Sequence, residues 1–440
     1  MPRHVTVLKS FQIRFRSMPA ASAAILCLTN MTPGWAQVAP NAAFDAVAPS
    51  RTGEPLTLQA AVARAMSSNA ELAAAKRELE AAEGPVLQAG ARPNPELSFL
   101  LEDTQRATRT ASWQISQPIE MGGQHAARVG AAERARDIAA TELAAKRADL
   151  HASVVAAFFE VLLAQEGVAL AADAGALARR ATEVASKRVL AGKVSPVEET
   201  RARTAEANAR LDAALAASAL RLARQRLAAA WGDAVPSFDR LAPPADADAP
   251  SAPSFEALSA RLAASPGLRR AQIEVLRRGA LSALERAKQT PDLTVSLGIK
   301  RDEQLGRNQA VIGLSVPLPL FDRNQGQLLE ALRREDKSRD ELAAVEVQLR
   351  TALAQSWERL HSASTEAKAI RDEVLPGAQS AYDAATQGFA LGKFDFLDVL
   401  DAQRTLFQAK AQILRTRGEA LRAAAEIARL LGDGEAFAAR

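Results

Sequence analysis

The sequence predicts a mainly α-helical chain with a small membrane β part, built as a tandem duplication of long helical hairpins. Three observations predict it. Ala supplies about a fifth of the 440 residues, in company with Leu, Glu, Arg and Gln, a composition that favours long helices in close contact. Motifs in the first half recur about 200 residues later. Four short segments alternate apolar and polar residues, isolated among roughly 300 residues of helical pattern.

Composition narrows the class further. Aromatic residues make up only 4% of the chain, too few to fill the core of an ordinary globular protein of this length. A hydrophobic content of 48% argues against disorder. The 55 Lys and Arg nearly balance the 51 Asp and Glu, so a nucleic-acid partner is not predicted.

The N-terminus carries Arg3, Lys9, Arg14 and Arg16, then an apolar stretch over 20–28, then Gly34-Trp35-Ala36. This reads as a secretory signal peptide over residues 1–36, cut before Gln37; a disordered basic arm is the alternative. Cys27, the single Cys, lies in the apolar stretch and leaves with it. The mature chain then has no disulfide and no thiolate metal ligand. Beyond the signal no run approaches 18 apolar residues, so a transmembrane helix is not expected. A closed β-barrel is the other way to span a bilayer.

The mature chain divides into a first repeat (37–232), a linker rich in Pro, Ala and Asp (233–253) and a second repeat (254–440). Gly192-Lys193-Val194-Ser195-Pro196-Val197-Glu198 sits over Gly392-Lys393-Phe394-Asp395-Phe396-Leu397-Asp398. Trp231-Gly232-Asp233 sits over Leu431-Gly432-Asp433. Upstream, Pro95-Glu96-Leu97 matches Pro291-Asp292-Leu293, and Ser116-Gln117-Pro118-Ile119 matches Ser315-Val316-Pro317-Leu318. Each repeat reads as helix, two strands, a very long helix, a tight turn and a long return helix.

The first helix covers about 58–88, with Leu72 and Leu79 one heptad apart. Strands follow at about 95–102 and 111–120, and in the second repeat at about 292–300 and 310–318. Leu97, Phe99 and Leu101 alternate with Glu96, Ser98 and Glu102; Leu293, Val295, Leu297 and Ile299 alternate with Asp292, Thr294, Ser296 and Lys300. Such alternation gives one apolar face and one small or polar face. The lengths suit tilted membrane-spanning strands with the polar face toward a water-filled lumen, although strands of a soluble sandwich share the pattern. Four strands cannot close a barrel wide enough to hold water, so a barrel requires several chains.

After the strands, 126–190 is free of Pro, and Leu143, Leu150, Val154, Phe158 and Leu162 recur at helical spacing. Such a helix is roughly 100 Å long. The hairpin tips fall near 191–196 and 390–396. The second return helix carries two adjacent heptad ladders: Val399, Leu406, Ile413, Ala420, Ile427, and Leu400, Phe407, Leu414, Leu421. Two seams let a helix touch a neighbour on each side, as a wall of helices requires; a plain antiparallel coiled coil is the simpler alternative.

Signal peptide, duplication, paired strands and long hairpins together resemble the TolC-like outer-membrane efflux proteins, over nearly the whole mature chain. The matched hairpin turns, and Phe396-Leu397-Asp398-Val399-Leu400-Asp401-Ala402-Gln403 after the second, carry the resemblance most specifically. Val316-Pro317-Leu318-Pro319-Leu320-Phe321-Asp322-Arg323-Asn324-Gln325-Gly326 resembles the cobalt–zinc–cadmium resistance branch. The resemblance implies a homotrimer whose α-barrel continues into a 12-strand β-barrel, each chain giving four strands. It implies outer-membrane lipid around the barrel, a periplasmic extension, a periplasmic adaptor (membrane fusion protein) and an inner-membrane pump of the resistance-nodulation-division class. The channel would conduct substrate passively, divalent heavy-metal cations being the expected cargo. No cofactor and no enzymatic activity are implied, and no P-loop signature is present.

Site expectations follow. Asp398 and Asp401, three apart at a helix start, share a face. In a trimer they would form carboxylate rings at the periplasmic entrance gate, attracting cations; stabilising the helix N-terminus is the alternative. The first repeat has Glu198 and Arg201 there instead. Some relatives hold the entrance shut with a basic residue at the position of Phe394; here Lys393 is adjacent. Gly192, Lys193, Gly392 and Lys393 would be the adaptor-docking tips, or generic hairpin turns. Trp113 fits a membrane girdle, or a packing Trp. His125, His151 and His361 are widely spaced and predict no metal site. A drug-efflux or type I secretion channel is the rival within the class. A periplasmic coiled-coil adaptor is the rival outside it, with an enzyme a distant third.

Overall fold

The computed structural model describes residues 55–103, 105–243, 253–391 and 393–432. The expected signal peptide with Cys27, the linker positions 244–252 and Gly392 lie outside the described residues.

The expected helix over 58–88 is two helices, α1 (Leu58–Ser68) and α2 (Ala70–Gly90). They part at Asn69, which takes extended dihedrals. Its Oδ1 accepts the Leu72 N–H at 2.8 Å, and its Nδ2 donates to the Ala230 carbonyl at 2.8 Å. An N-cap therefore outcompetes helix continuation, because it also ties the break to the end of the first repeat. The second repeat has the same break. α5 (Phe255–Arg261) and a 3₁₀ turn (Leu262–Ala264) lead to Ser265, which caps α6 (Pro266–Ala287).

Four strands form one antiparallel sheet in the order β1 (Glu96–Glu102), β2 (Thr110–Ile119), β3 (Leu293–Asp302), β4 (Arg307–Ser315). β2 and β3 join the two repeats, and β1 and β4 are the open edges. The register aligns apolar rows across the sheet. Leu97, Ile115, Leu297 and Ile312 form one row, and Phe99, Trp113, Ile299 and Ala310 the next. The opposite face carries Glu96, Ser116, Ser296 and Gly313, then Ser98, Gln114, Gly298 and Val311. β4 starts earlier than 310, after a tight turn at Gly306 (φ +63°), and stops at Ser315 rather than 318. Pro317 and Pro319 have no N–H for the ladder, which ends it there.

The first hairpin is α3 (Gln124–Leu190) and α4 (Pro196–Ala229). In the second, α7 (Gln325–Ala369) passes through a π turn (Ile370–Val374) into α8 (Leu375–Ala390), and α9 (Phe396–Leu431) returns. α3 is the spine: α1, α2 and α4 pack on it from its own repeat, and α6 and α9 from the other. α7 packs on α6 and α9, whereas α4 packs mainly on α3.

Each repeat has its own core, and Leu421 of α9 also joins that of the first. Val154, Phe158 and Val161 of α3 bury against Ala61, Ala65, Leu227 and Trp231. Leu353 and Leu360 of α7 bury against Leu258, Ala420, Ala424 and Ile427. Contrary to the sequence reading, one stretch of α3 is long and apolar enough to cross a membrane. Its Val154, Phe158 and Val161 are wholly buried among the other helices, and just over a quarter of that stretch is buried, so the protein's own core accounts for part of its apolar character.

Candidate functional site

The two hairpin tips are built alike. At the first, the Lys193 N–H donates to the Arg188 carbonyl at 2.9 Å, and Gly192 turns the chain at φ +68°. At the second, the Lys393 N–H donates to the Gly388 carbonyl at 2.8 Å. This wide bond closes the helix end, and at the first tip Gly192 before it takes the left-handed region that Gly adopts without strain. Lys193 and Lys393 are both exposed.

The caps that restart the helices differ. Ser195 caps α4, its Oγ accepting the Val197 N–H at 3.3 Å, with Pro196 as first helical residue. Asp395 caps α9 in a reciprocal box: the Asp398 carboxylate accepts the Asp395 N–H at 3.0 Å. Asp398 therefore serves the helix start. Its carboxylate is exposed, as is that of Asp401 one turn on, so both remain open to an ion. The two positions share one helix face, as their spacing predicts.

The structure brings together two residues that the sequence reading did not single out. Arg188, in the last turn of α3, lies over the Phe389 ring of α8 with its guanidinium carbon 3.8 Å from the ring centroid. It also donates to the Phe389 carbonyl at 3.5 Å. Beneath them Ala185 of α3 and Ala202 of α4 are buried with Phe389 and Leu400 packed against them. The first and second tips are thus joined by a cation–π contact over a small apolar plug. The available signal was a mismatch: Arg188 aligns with Gly388, and Val189 with Phe389, inside otherwise matching turns. Gly388 in turn leaves room for Phe394, whose ring occupies the space a Cβ at 388 would take.

Further along, ion pairs tie the second repeat to α3. Arg270 of α6 meets Glu142 at 2.9 Å, and Arg417 and Arg429 of α9 meet Glu166 and Asp149 at 3.2 and 3.4 Å. Arg429 also donates to Glu426, and that hydrogen bond holds the Glu426 carboxyl below its ordinary range. Arg277 does the same to Glu274 in α6.

Trp113 is half exposed on the apolar face of the sheet, its ring 4.6 Å from that of Phe99. The histidines are dispersed. His125 lies 3.1 Å from the Gly90 carbonyl, and His361 stacks on Trp357 at 5.2 Å. Among the described residues no three His, Cys, Asp or Glu side chains converge as a metal site.

A sheet with one apolar and one polar face, continuous with a wall of duplicated helical hairpins, defines a class. The chain belongs to the outer membrane efflux protein family, whose model matches residues 61–233 and 257–433. It is an outer-membrane protein with a periplasmic helical extension, and it functions as an efflux channel component. Over 386 residues it is 48% identical to the cobalt-zinc-cadmium resistance protein CzcC of Cupriavidus metallidurans, covering 88% of this chain and 92% of that protein. It is 28% identical to the nickel-cobalt-cadmium resistance protein NccC of Alcaligenes xylosoxydans, across 62% of this chain and 63% of that one. Among solved structures, the outer membrane protein VceC from Vibrio cholerae superposes with a TM-score of 0.72 at 19% identity, over 86% of this chain and 96% of that chain. CusC superposes with a TM-score of 0.69 at 18% identity, over 86% and 92%. The family replaces the alternative of a periplasmic adaptor.

Proposed function

We propose that the protein is the trimeric outer-membrane channel of a tripartite efflux system that exports divalent heavy-metal cations. The cargo assignment is carried by the 48% identity, over nine-tenths of its length, to a protein named for cobalt, zinc and cadmium resistance. Trimeric assembly is supported by the open lateral edges. α4 leaves Leu211 and Leu215 exposed on one side, α7 leaves Leu329 and Val347 exposed on the other, and both sheet edges are unpaired. Three copies placed edge to edge give twelve strands and a closed ring of helices.

In this reading transport is passive. The pump supplies the energy, and the adaptor engages the tips at Gly192, Lys193, Gly392 and Lys393. Docking draws the second hairpin, residues 380–403, away from the channel axis. The Arg188–Phe389 contact moves with it or breaks, and the π turn below Ala369 is the point at which the second hairpin bends. Trimer symmetry makes rings of Asp398 and Asp401, which raise the local cation concentration at the entrance. Trp113 and Phe99 anchor the barrel at the lipid interface.

The test has two arms. Deletion of the gene is expected to sensitise cells to zinc, cobalt or cadmium and to leave sensitivity to a hydrophobic drug unchanged; the reverse pattern would transfer the protein to drug efflux. In planar bilayers, Asp398→Ala with Asp401→Ala is expected to weaken cation over anion selectivity at low salt. Unchanged selectivity and conductance would remove the carboxylate rings from the mechanism.

A further inference from the structure

Both edges of the sheet are open, and the duplication specifies what meets there. We propose that β1 of a second copy pairs with the segment following β4, in the register Val316 with Leu101 of the partner subunit, Pro317 with Leu100 of the partner subunit and Leu318 with Phe99 of the partner subunit. The proposal rests on the trimeric reading above and adds the residue register of the seam.

On either side of the strands the two repeats are related by two fixed offsets. The N-caps Asn69 of α2 and Ser265 of α6 stand 196 residues apart. The left-handed residues before α3 and α7, Gly123 and Asn324, stand 201 apart, so Pro118 corresponds to Pro319 and not, as in the sequence match, to Pro317. Carried over by these offsets, the β1–β2 pairs Phe99↔Trp113 and Leu101↔Ala111 become Val295↔Leu314 and Leu297↔Ile312. Those are the observed β3–β4 pairs. The offsets taken from helix caps thus reproduce a strand register they were not taken from. Applied to the β2–β3 seam, they turn Ile115↔Leu297, Ser116↔Ser296 and Gln117↔Val295 into the three pairs proposed.

Hydrogen-bond direction agrees. The Glu303 N–H donates to the Arg109 carbonyl at 3.2 Å, so odd-numbered residues along β2 bond to β3 and even-numbered ones to β1. By the same alternation Leu97, Phe99 and Leu101 turn their backbone groups to the open edge of β1. Val316 and Leu318 turn theirs to the open edge beyond β4. Pro317 and Pro319 lack their N–H on the opposite side, toward β3. That explains why pairing with β3 stops at Ser315 while the outer edge is uninterrupted as far as Leu318. There the Leu320 N–H folds back onto the Leu318 carbonyl at 2.9 Å and ends it. The side chains match too: Leu318 is 75% exposed and Phe99 51%, both on the apolar face and both without a neighbour across the open edge. The stagger this register carries is large, which gives a barrel that is wide for its strand number.

The seam can be read by disulfide trapping in native outer membranes, on a Cys27→Ala background. Pro317→Cys with Leu100→Cys is the proposed pair. Its counterpart within one chain is Ser116→Cys with Ser296→Cys, whose hydroxyl oxygens lie 3.3 Å apart, and it calibrates the oxidation. Pro317→Cys with Ser98→Cys tests a two-residue slip, which moves the partner by about 7 Å, beyond disulfide reach. With diamide as the two-electron oxidant, the proposed pair is expected to convert most monomer into covalent dimer and trimer. The single variants and the slip pair should stay monomeric on non-reducing gels. Linking of the slip pair, or of neither pair while the calibration pair oxidises, overturns the register. The mass of the unsubstituted protein in detergent separates the two claims: a trimer mass leaves the trimeric reading intact, and a monomer mass removes both.

Discussion

The long helix of the first repeat and its counterpart in the second do the same job with different constraints. α3 runs for 67 residues without interruption, and 22 of them are Ala; residues 325–390 contain 13 Ala among 66. α3 has helices on both sides, so small side chains are needed for close approach. α7 and α8 are covered on one side only, and they contain the π turn. Pro376 causes the interruption: it has no N–H to give the carbonyl four residues back, and the Leu375 N–H reaches the Ile370 carbonyl instead. The difference teaches that duplication kept the turn geometry at both tips and placed the compliance in one repeat.

The sharpest way to break this comparison is in the cores. Phe158→Ala in α3 is expected to cost about 3–5 kcal/mol, and Leu353→Ala in α7 about 2–5 kcal/mol, read by denaturant unfolding of the helical signal. Both side chains are fully buried. If the repeats hold separate cores, the two losses add in the double variant; a large coupling would mean one shared core.

A smaller effect is expected at the tips. Gly192→Ala forces a side chain into the left-handed region with nothing nearby, a cost of roughly 1–2 kcal/mol. Gly388→Ala lies in helical backbone, so its cost comes from displacing the Phe394 ring. Adding Phe394→Ala should therefore rescue Gly388→Ala and leave Gly192→Ala unchanged. Rescue of neither, by thermal unfolding, would show that the tips are not distinguished by packing.

The smallest effect concerns the π turn. Pro376→Ala restores one helical N–H, worth about 0.5–1.5 kcal/mol. Amide exchange across Ile370–Val374 is expected to slow by a factor of roughly 3–10. Unchanged exchange would mean that the turn is held by its neighbours and not by the proline.

Much of the fold was legible because periodicity encodes it. Alternation located four strands, and the absence of Pro after 126 marked the extent of α3. The break at Asn69 was hidden, since its cause is a hydrogen bond to Ala230, 161 residues away. The edge of β4 was misplaced because alternation continues through Val316 and Leu318, while hydrogen bonding to β3 does not. At the tips, the shared helix face of Asp398 and Asp401 could be read from spacing. Arg188 over Phe389 could not, because no repeat pattern says which residues of two neighbouring tips touch.

One small feature bears on how such a chain arises. Leu56 and Leu241 form a lone parallel bridge, the Leu56 N–H donating to the Arg240 carbonyl and the Ala242 N–H to the Leu56 carbonyl, both at 3.0 Å. Both leucines are buried. The entry and exit of the first repeat therefore meet at a clasp. A unit whose ends lie side by side can be copied in tandem, or cut and rejoined elsewhere in its circuit, without rerouting the chain between. The clasp marks the join at which a single ancestral hairpin unit could become two.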